Sequence, residues 1–343
     1  MGTTNGKVPG RVKYTFAFGA LGKDLIYGMM ATFAMIYFTD VLKVSPGFVG
    51  IVFFVAKLWD AFNDLFMGMI VDNTRSRFGK FVPWLVIGTL VNSVVFVVLF
   101  TDFKLTGTSL CIFVAVIYVL WGMTYTIMDI PYWSMIPSFT SDSSERDKMS
   151  VIPRVFATIG GSTVNTFGLM LISFLGIGNN SIGYFRLGVG IAIIFVISTL
   201  ITVFNVKERN IVENQEKITL KGVFEILFKN DQLLVFIGIV LGMNLIMQIS
   251  GSMAIYYFTY VVQNAMLVQI VATITTLVPI IANLCAPFLV KLTTKRNLMV
   301  GGSFVHMGGL LIIFFGGTNV PVLLAGAVIA AAGYGLKASM HFA

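Results

Sequence analysis

The sequence holds only two cysteines and two histidines in 343 residues. So few thiols exclude a disulfide framework, and Cys111 and Cys285, each inside an apolar run, are expected to be buried structural thiols. His306 and His341 form no H-E-x-x-H zinc helix, and no cysteine or histidine cluster has the spacing of a metal or nucleophile site. The G-x-x-x-x-G-K-[ST] phosphate loop is missing, which excludes an ATP motor of that kind. Charge is scarce as well: Asp, Glu, Lys and Arg make up 11% of the chain, about half the share of an ordinary soluble domain. These absences leave no soluble-enzyme chemistry and no cofactor to expect. The polar start MGTTNGKVPGRVKY lacks the apolar core and cleavage site of a signal peptide.

Apolar residues are plentiful. They make up 57% of the chain, with 34 glycines, 31 phenylalanines, 18 methionines and a mean hydropathy of +0.90. That much apolar surface on a water-soluble protein aggregates, so the composition predicts an all-α polytopic membrane protein whose partner is the lipid bilayer. A membrane helix needs about 20 apolar residues. Runs centred near 28, 58, 93, 122, 164, 194, 245, 277, 306 and 331 predict ten spans. The connections alternate in basic content. The N-terminus and segments 72–82, 139–150, 206–233 and 291–297 hold 16 of the 23 basic residues, against Lys43, Lys104 and Arg186 on the other side. The positive-inside rule then places the N-terminus and the 206–233 loop in the cytoplasm. Basic residues confined to membrane edges argue against nucleic acid as a partner.

The chain also repeats itself. GKDLIYGMMATFAMIYFTDVL (22–42) and GMNLIMQISGSMAIYYFTYVV (242–262) match without a gap at eight of 21 positions, including the tripeptide YFT, at an offset of 220. These are the first and seventh spans. A six-helix unit repeated in one orientation after a cytoplasmic linker is the architecture of major-facilitator transporters. The expected division is a six-helix bundle over 1–205, a linker over 206–233, and an incomplete second bundle of about four helices over 234–343. Two such units need roughly 440 residues. The chain stops inside the tenth predicted span, so a fragment or truncated product is expected, with a genuine ten-helix protein as the alternative.

Ionisable side chains at bilayer depth are functional candidates by default, because each is costly to insert. Lys23 and Asp24 lie in the first span, Lys57, Asp60 and Asp64 in the second, Asp129 in the fourth, and Arg154 opens the fifth. Within KLWDAFND, Asp60 and Asp64 are i, i+4 and share a helix face, with Asn63 beside it. Two close carboxylates in low dielectric need a proton or a cation, and carboxylate and amide oxygens suit a hard ion such as Na⁺. The alternative is a static network in which Lys57 pairs with both aspartates and only holds helices together.

In YTIMDIPYWSMIP, Thr126, Asp129 and Trp133 also share a face. A carboxylate accepts from sugar hydroxyls and an indole covers a sugar's C–H face, a few polar groups in an otherwise apolar pocket. An interfacial tryptophan of the aromatic belt is the alternative reading of Trp133. The loop DNTRSRFGKF places Arg75, Arg77 and Lys80 around Gly79, to bridge helix carbonyl ends or acids such as Asp72, or simply to carry positive-inside charge. The run SDSSERD in 139–150 is expected to be a solvated loop, and Arg154 to face Asp24 or Asp129.

The segments YGMMATFAMIYFTDVL, KLWDAFND, TRSRFGKFVPW, LWGMTYTIMDIPYWSMIPS and FKNDQL resemble the glycoside–pentoside–hexuronide:cation symporter family, from about residue 12 to about 335. The resemblance implies the major-facilitator fold, alternating access around a central site, and a bacterial inner-membrane location. It implies that Asp60, Asn63, Asp64 and Thr126 bind the coupling cation (Na⁺, Li⁺ or H⁺), with Asp60 and Asp64 as its carboxylate ligands. It implies that Asp24 and Asp129 accept from sugar hydroxyls, and that Lys23, Tyr125, Trp133 and Arg154 line the sugar pocket. Having both Asp24 and Asp129 makes a galactoside such as melibiose the leading substrate. Another glycoside, a pentoside or a glucuronide is the second reading, and a non-transporting fragment is the third. The expected partners are a small sugar and a monovalent cation, and the expected state is a monomer. Two departures stand out: Val82 occupies a usually basic place in GKF-x-PW, and the family's GEYK-like segment does not occur in the chain.

Overall fold

The computed structural model describes residues 7–206, residues 257–339 apart from 265 and 291, and scattered positions from 222 to 242. Nine of the ten predicted span centres fall inside described helices; the tenth, near 245, lies outside the described residues. The chain separates into two compact units, Met1–Lys217 and Ile218–Ala343.

The first unit comprises α1 (Gly10–Ile36), which runs into a π-helical turn (Tyr37–Val41), then α2 (Pro46–Asn73), α3 (Val82–Leu99), α4 (Gly107–Ser134), the short α5 (Ile136–Phe139), α6 (Ser143–Gly176) and α7 (Asn180–Asn205). Proline opens α2 and lies within the first two positions of α3, where its missing N–H leaves no gap in the helix ladder. The first helix packs on α6 and α7, α3 packs on α4 and α7, and α2 leans on α4. Glycine makes the α1–α6 contact possible: a Cβ at Gly28 would meet the Gly161 Cα at 2.9 Å. Small residues at such crossings let backbones approach where lipid supplies no hydrophobic drive. Interhelical hydrogen bonds add to this. The buried Asn92 on α3 donates to the Trp121 carbonyl (3.1 Å) and to the Thr124 hydroxyl (2.9 Å) of α4. Phe16, Phe33, Phe38, Phe96, Phe100 and Phe195 are fully buried in the core.

In the second unit a π-helical turn (Tyr257–Val261) precedes α8 (Met266–Leu289), α9 (Lys295–Gly316) and α10 (Val320–Ser339). Its last helix packs on α8 and α9, as α4 packs on α2 and α3 in the first unit. The repeat extends to single hydrogen bonds. The Leu42 N–H donates to the Tyr37 carbonyl (3.0 Å) and the Val44 N–H to that of Phe38 (2.9 Å). At an offset of 220, the Val262 N–H donates to the Tyr257 carbonyl (3.0 Å) and the Asn264 N–H to that of Phe258 (2.9 Å). Lys43 and Gln263, the next equivalent pair, both take left-handed φ values, 64° and 56°. YFT therefore marks a duplicated π turn and chain reversal.

Among the described residues, six helical segments are long and apolar enough to cross a membrane: Val82–Leu99, Gly107–Phe139, Ser143–Gly176, Asn180–Asn205, Arg296–Gly316 and Val320–Lys337. The first two helices stand outside that set, and they carry Lys23 and Asp24, and Lys57, Asp60 and Asp64, whose charges lower their hydropathy. Two expectations need correction. Cys285 is exposed, and Cys111 is only half-buried, packed against the edge of the first unit's core. The run SDSSERD is only in part a solvated loop: residues 141–144 are exposed, but α6 begins at Ser143 and the run turns inward at Glu145. Asp142 caps α6 by accepting from the Glu145 N–H (3.1 Å), and Glu145 is only 4% exposed. Its carboxylate pairs with Lys13 (2.5 Å) and Lys148 (2.7 Å) and accepts from the Val8 N–H (3.0 Å).

Candidate functional site

Residues of two helices of the first unit, α1 and α4, converge on one ammonium group. Lys23 of α1 is 4% exposed, and its Nζ lies 2.6 Å from Asp129 Oδ1 on α4 and 3.0 Å from Asp24 Oδ2. It also donates to the Tyr125 hydroxyl (3.2 Å). A buried lysine is stable only when paired in this way. The aspartate oxygens facing it are buried and meet it as ion pairs rather than as well-angled hydrogen bonds. The ring of Trp133 lies 5.0 Å from Lys23 Nζ and 5.1 Å from the Arg154 guanidinium carbon, within cation–π reach of both. Trp133 is thus a member of the cluster, not an isolated belt residue. The formal charges of Lys23, Arg154, Asp24 and Asp129 cancel.

These six residues (Lys23, Asp24, Tyr125, Asp129, Trp133 and Arg154) line one cavity of about 460 Å³. The spacing that put Asp129 and Trp133 on one face of α4 is what aims both into it. Four further polar residues line the same space, Tyr27, Thr158, Ser162 and Asn165, and sequence reasoning did not single them out. A signal was present: from Arg154, positions 158, 162 and 165 continue one face of α6. Four residues in 34 is a weak polar stripe against the apolar background of that helix.

On α2, Asp60 and Asp64 both turn toward α4. Asp64 Oδ1 accepts from the Thr126 hydroxyl (3.0 Å). Asp60 Oδ1 approaches Gly122, one turn earlier on α4, so closely that a Cβ there would lie 2.9 Å away. The other Asp60 oxygen pairs with Lys57 (3.2 Å), whose side chain is largely exposed. Lys57 makes no ion pair with Asp64 among the described residues, so the static network joining Lys57 to both aspartates is realised only at Asp60. Asn63 is half-buried, its amide nitrogen is without a hydrogen-bond partner, and it bonds to neither carboxylate. Asp64 itself is exposed rather than buried. Among the described residues no three His, Cys, Asp or Glu side chains converge as a transition-metal set. Two carboxylates and a hydroxyl on facing helices are oxygen donors suited to a hard monovalent ion.

The 72–82 loop is tied to its flanking helices. Lys80 pairs with Asp72 (2.5 Å), the Trp84 indole donates to Thr74 (2.8 Å), and Arg77 stacks on Phe78 (4.7 Å). Gly79, with φ of 101°, makes the turn that a side chain would strain.

Comparison with known proteins fits this architecture. The profile of the family described as MFS/sugar transport protein matches residues 15–343. The chain is 28% identical over 340 residues to the isoprimeverose transporter of Lactiplantibacillus pentosus, covering 97% of this chain and 70% of that protein. It is 29% identical over 362 residues to the raffinose carrier protein of Pediococcus pentosaceus, covering 98% of this chain and 54% of that protein, so it spans about half the carrier's length. The solved proton:xylose symporter XylE superposes with a TM-score of 0.66 at 11% identity, covering 97% of this chain and 80% of that one. The chain belongs to the MFS/sugar transport protein family. It is a multi-pass membrane protein with the all-helical major-facilitator fold, and its family is one of transporters, not of enzymes.

Proposed function

We propose that the chain forms the greater part of a cation-coupled saccharide symporter. In this reading Asp24 and Asp129 accept hydrogen bonds from sugar hydroxyls, Trp133 covers the sugar's C–H face, and Lys23 and Arg154 balance the charge of the two carboxylates. Asp60, Asp64 and Thr126 take Na⁺, Li⁺ or H⁺, with Asn63 beside them. The observation that carries the proposal is the cavity itself: carboxylates, cations and an indole from three helices around one space of about 460 Å³. Relatives named for isoprimeverose and raffinose support a saccharide. A galactoside such as melibiose is the leading substrate.

We place the N-terminus and the 206–233 linker in the cytoplasm of a bacterium, with the bundles of 1–205 and 234–343 in the inner membrane as a monomer. The loop residues Arg75, Arg77 and Lys80 set the cytoplasmic turn. Coupling follows from linkage: a cation that neutralises Asp60 and Asp64 and favours sugar must itself be favoured by sugar to the same degree. The test is titration of the detergent-solubilised 343-residue chain with melibiose, with and without NaCl. Sodium should tighten sugar binding, and Asp64→Cys should abolish that gain. A gain that survives in Asp64→Cys sinks the assignment.

A further inference from the structure

Two contacts hold α4 on α3, and both lie away from the ligand groups. At Gly88 the backbones nearly touch: a Cβ there would lie 2.7 Å from the Met128 nitrogen. One turn further along α3, Asn92 directs both amide hydrogens at α4, one to the Trp121 carbonyl (3.1 Å) and one to the Thr124 hydroxyl (2.9 Å). A carbonyl can only accept, which fixes the orientation of the amide. The Thr124 hydroxyl donates in turn to the Leu120 carbonyl (2.9 Å). Trp121, Thr124 and Met128 thus mark the α3 side of α4. Gly122, Thr126 and Asp129, which meet Asp60, Asp64 and Lys23, lie roughly 130° around the same helix.

Stability does not account for this amide. Asn92 is fully buried, and its Oδ1 has no hydrogen-bond partner among the described residues. An orphaned buried acceptor costs about as much as two interhelical hydrogen bonds in a membrane contribute. Leucine has the same branched outline and would leave no orphan, so the amide adds little to stability. What it supplies is a fixed angle. Gly88 alone is a pivot, and Asn92 is the second point that stops α4 from turning about it. A turn of about 10° carries a group about 6 Å from the helix axis through about 1 Å. The hydrogen bonds from Thr126 to Asp64 (3.0 Å) and from Lys23 to Tyr125 (3.2 Å) would not survive that displacement.

We infer that Asn92 is a positioning residue for both ligands. It touches neither. It sets the rotation of α4 that keeps Thr126 beside the α2 carboxylates, and Tyr125 and Asp129 beside the Lys23 ammonium. This inference rests on the symport reading and adds the side chain, one helix removed from both sites, on which their coupling depends.

The experiment titrates the full chain with melibiose, without sodium and at saturating NaCl, beside a thermal melt of each variant. The readout is the coupling factor, the ratio of the two sugar affinities, about 5–150 for a typical coupled pair of sites. Asn92→Leu should lower that factor at least about threefold while melting close to the native chain. Thr124→Val, which removes one acceptor of the amide, should lower it in the same direction, and Thr124→Ser, which keeps the hydroxyl, should retain most of it. Adding Thr124→Val to Asn92→Leu should cause little further loss, because both cut one connection. If Asn92→Leu does not fold, the comparison of Thr124→Val with Thr124→Ser decides. A factor unchanged in Asn92→Leu or in Thr124→Val overturns the positioning role while the symport reading stands. So does a factor that falls equally in Thr124→Val and Thr124→Ser, or only together with a markedly lower melting temperature, since that is the mark of helix packing alone. A native factor of one, or no binding of melibiose, overturns the symport reading and the inference with it.

Discussion

Replacing Lys23 by methionine keeps the length of the side chain and removes its charge. Nζ lies 2.6 Å and 3.0 Å from oxygens of Asp129 and Asp24, and the residue is 4% exposed. Four charges that cancelled become two carboxylates against Arg154 alone. Removing one partner of a buried ion pair typically destabilises by about 3–5 kcal/mol. Part of that is relieved when the two carboxylates, no longer held by the ammonium, move apart. An aspartate that has left its place is a poor hydroxyl acceptor. Losing one charge-assisted hydrogen bond, worth about 1.5–3 kcal/mol, weakens sugar binding roughly 10- to 100-fold. The assay is calorimetric titration with melibiose, beside a thermal melt of each variant. Lys23→Met should melt lower and bind at least tenfold more weakly. Lys23→Met with Asp24→Asn restores the charge balance and should recover most of the melting temperature but not the affinity. Native affinity in Lys23→Met would refute the reasoning. Full recovery of affinity in the double variant would show that Lys23 only balances charge.

Gly122→Ala adds a Cβ 2.9 Å from Asp60 Oδ1 without removing any oxygen donor, so the apparent cation affinity should fall several-fold with unchanged expression, read from the sodium dependence of sugar binding. Glu145→Gln leaves Lys13 and Lys148 facing a neutral amide and should destabilise the first unit by about 3 kcal/mol, seen as a lower melting temperature and faster amide exchange in α1. Gly160→Val drives a side chain into the Leu21 carbonyl, 2.5 Å from the added Cβ, and should abolish folded expression. In the loop after α3, Asp102 is held below the ordinary carboxylate range chiefly by the hydrogen bond from Lys104. The resulting stabilisation is present above the unfolded carboxyl pKa and is lost as pH falls through the folded value. Asp102→Asn should therefore cost at most about 1 kcal/mol at neutral pH and nothing in acid, by thermal melts at both.

Periodicity made much of this molecule legible. The helix positions followed from runs of about 20 apolar residues, and the duplication from YFT. That Asp60 and Asp64 share one face of α2 followed from their i, i+4 spacing, whereas the place of Thr126 beside them was implied only by the family resemblance. What stayed hidden depends on distance along the chain or on single backbone bonds. A π turn adds one residue to a helix without breaking its apolar pattern, so Tyr37–Val41 read as ordinary helix. Burial of Glu145 needs Lys13 and Val8, more than 130 residues away, and a run as polar as SDSSERD looks solvated until those partners arrive. Tyr27 looked like one aromatic among many, because only packing decides which aromatics line a cavity.

Thr126 bonds an α2 carboxylate and Asp129 holds the shared ammonium, and both belong to one unbroken stretch of α4. Three residues of helix separate them by about 4.5 Å along the axis. Cation and sugar would then meet neighbouring positions on one face of the same rigid strut, less than a turn apart. Exchange of information between them needs no relay across the bundle: whatever tilts or rotates α4 for one ligand displaces the other ligand's anchor in the same movement. The strength of coupling in such a carrier would depend on the stiffness of a single helical turn.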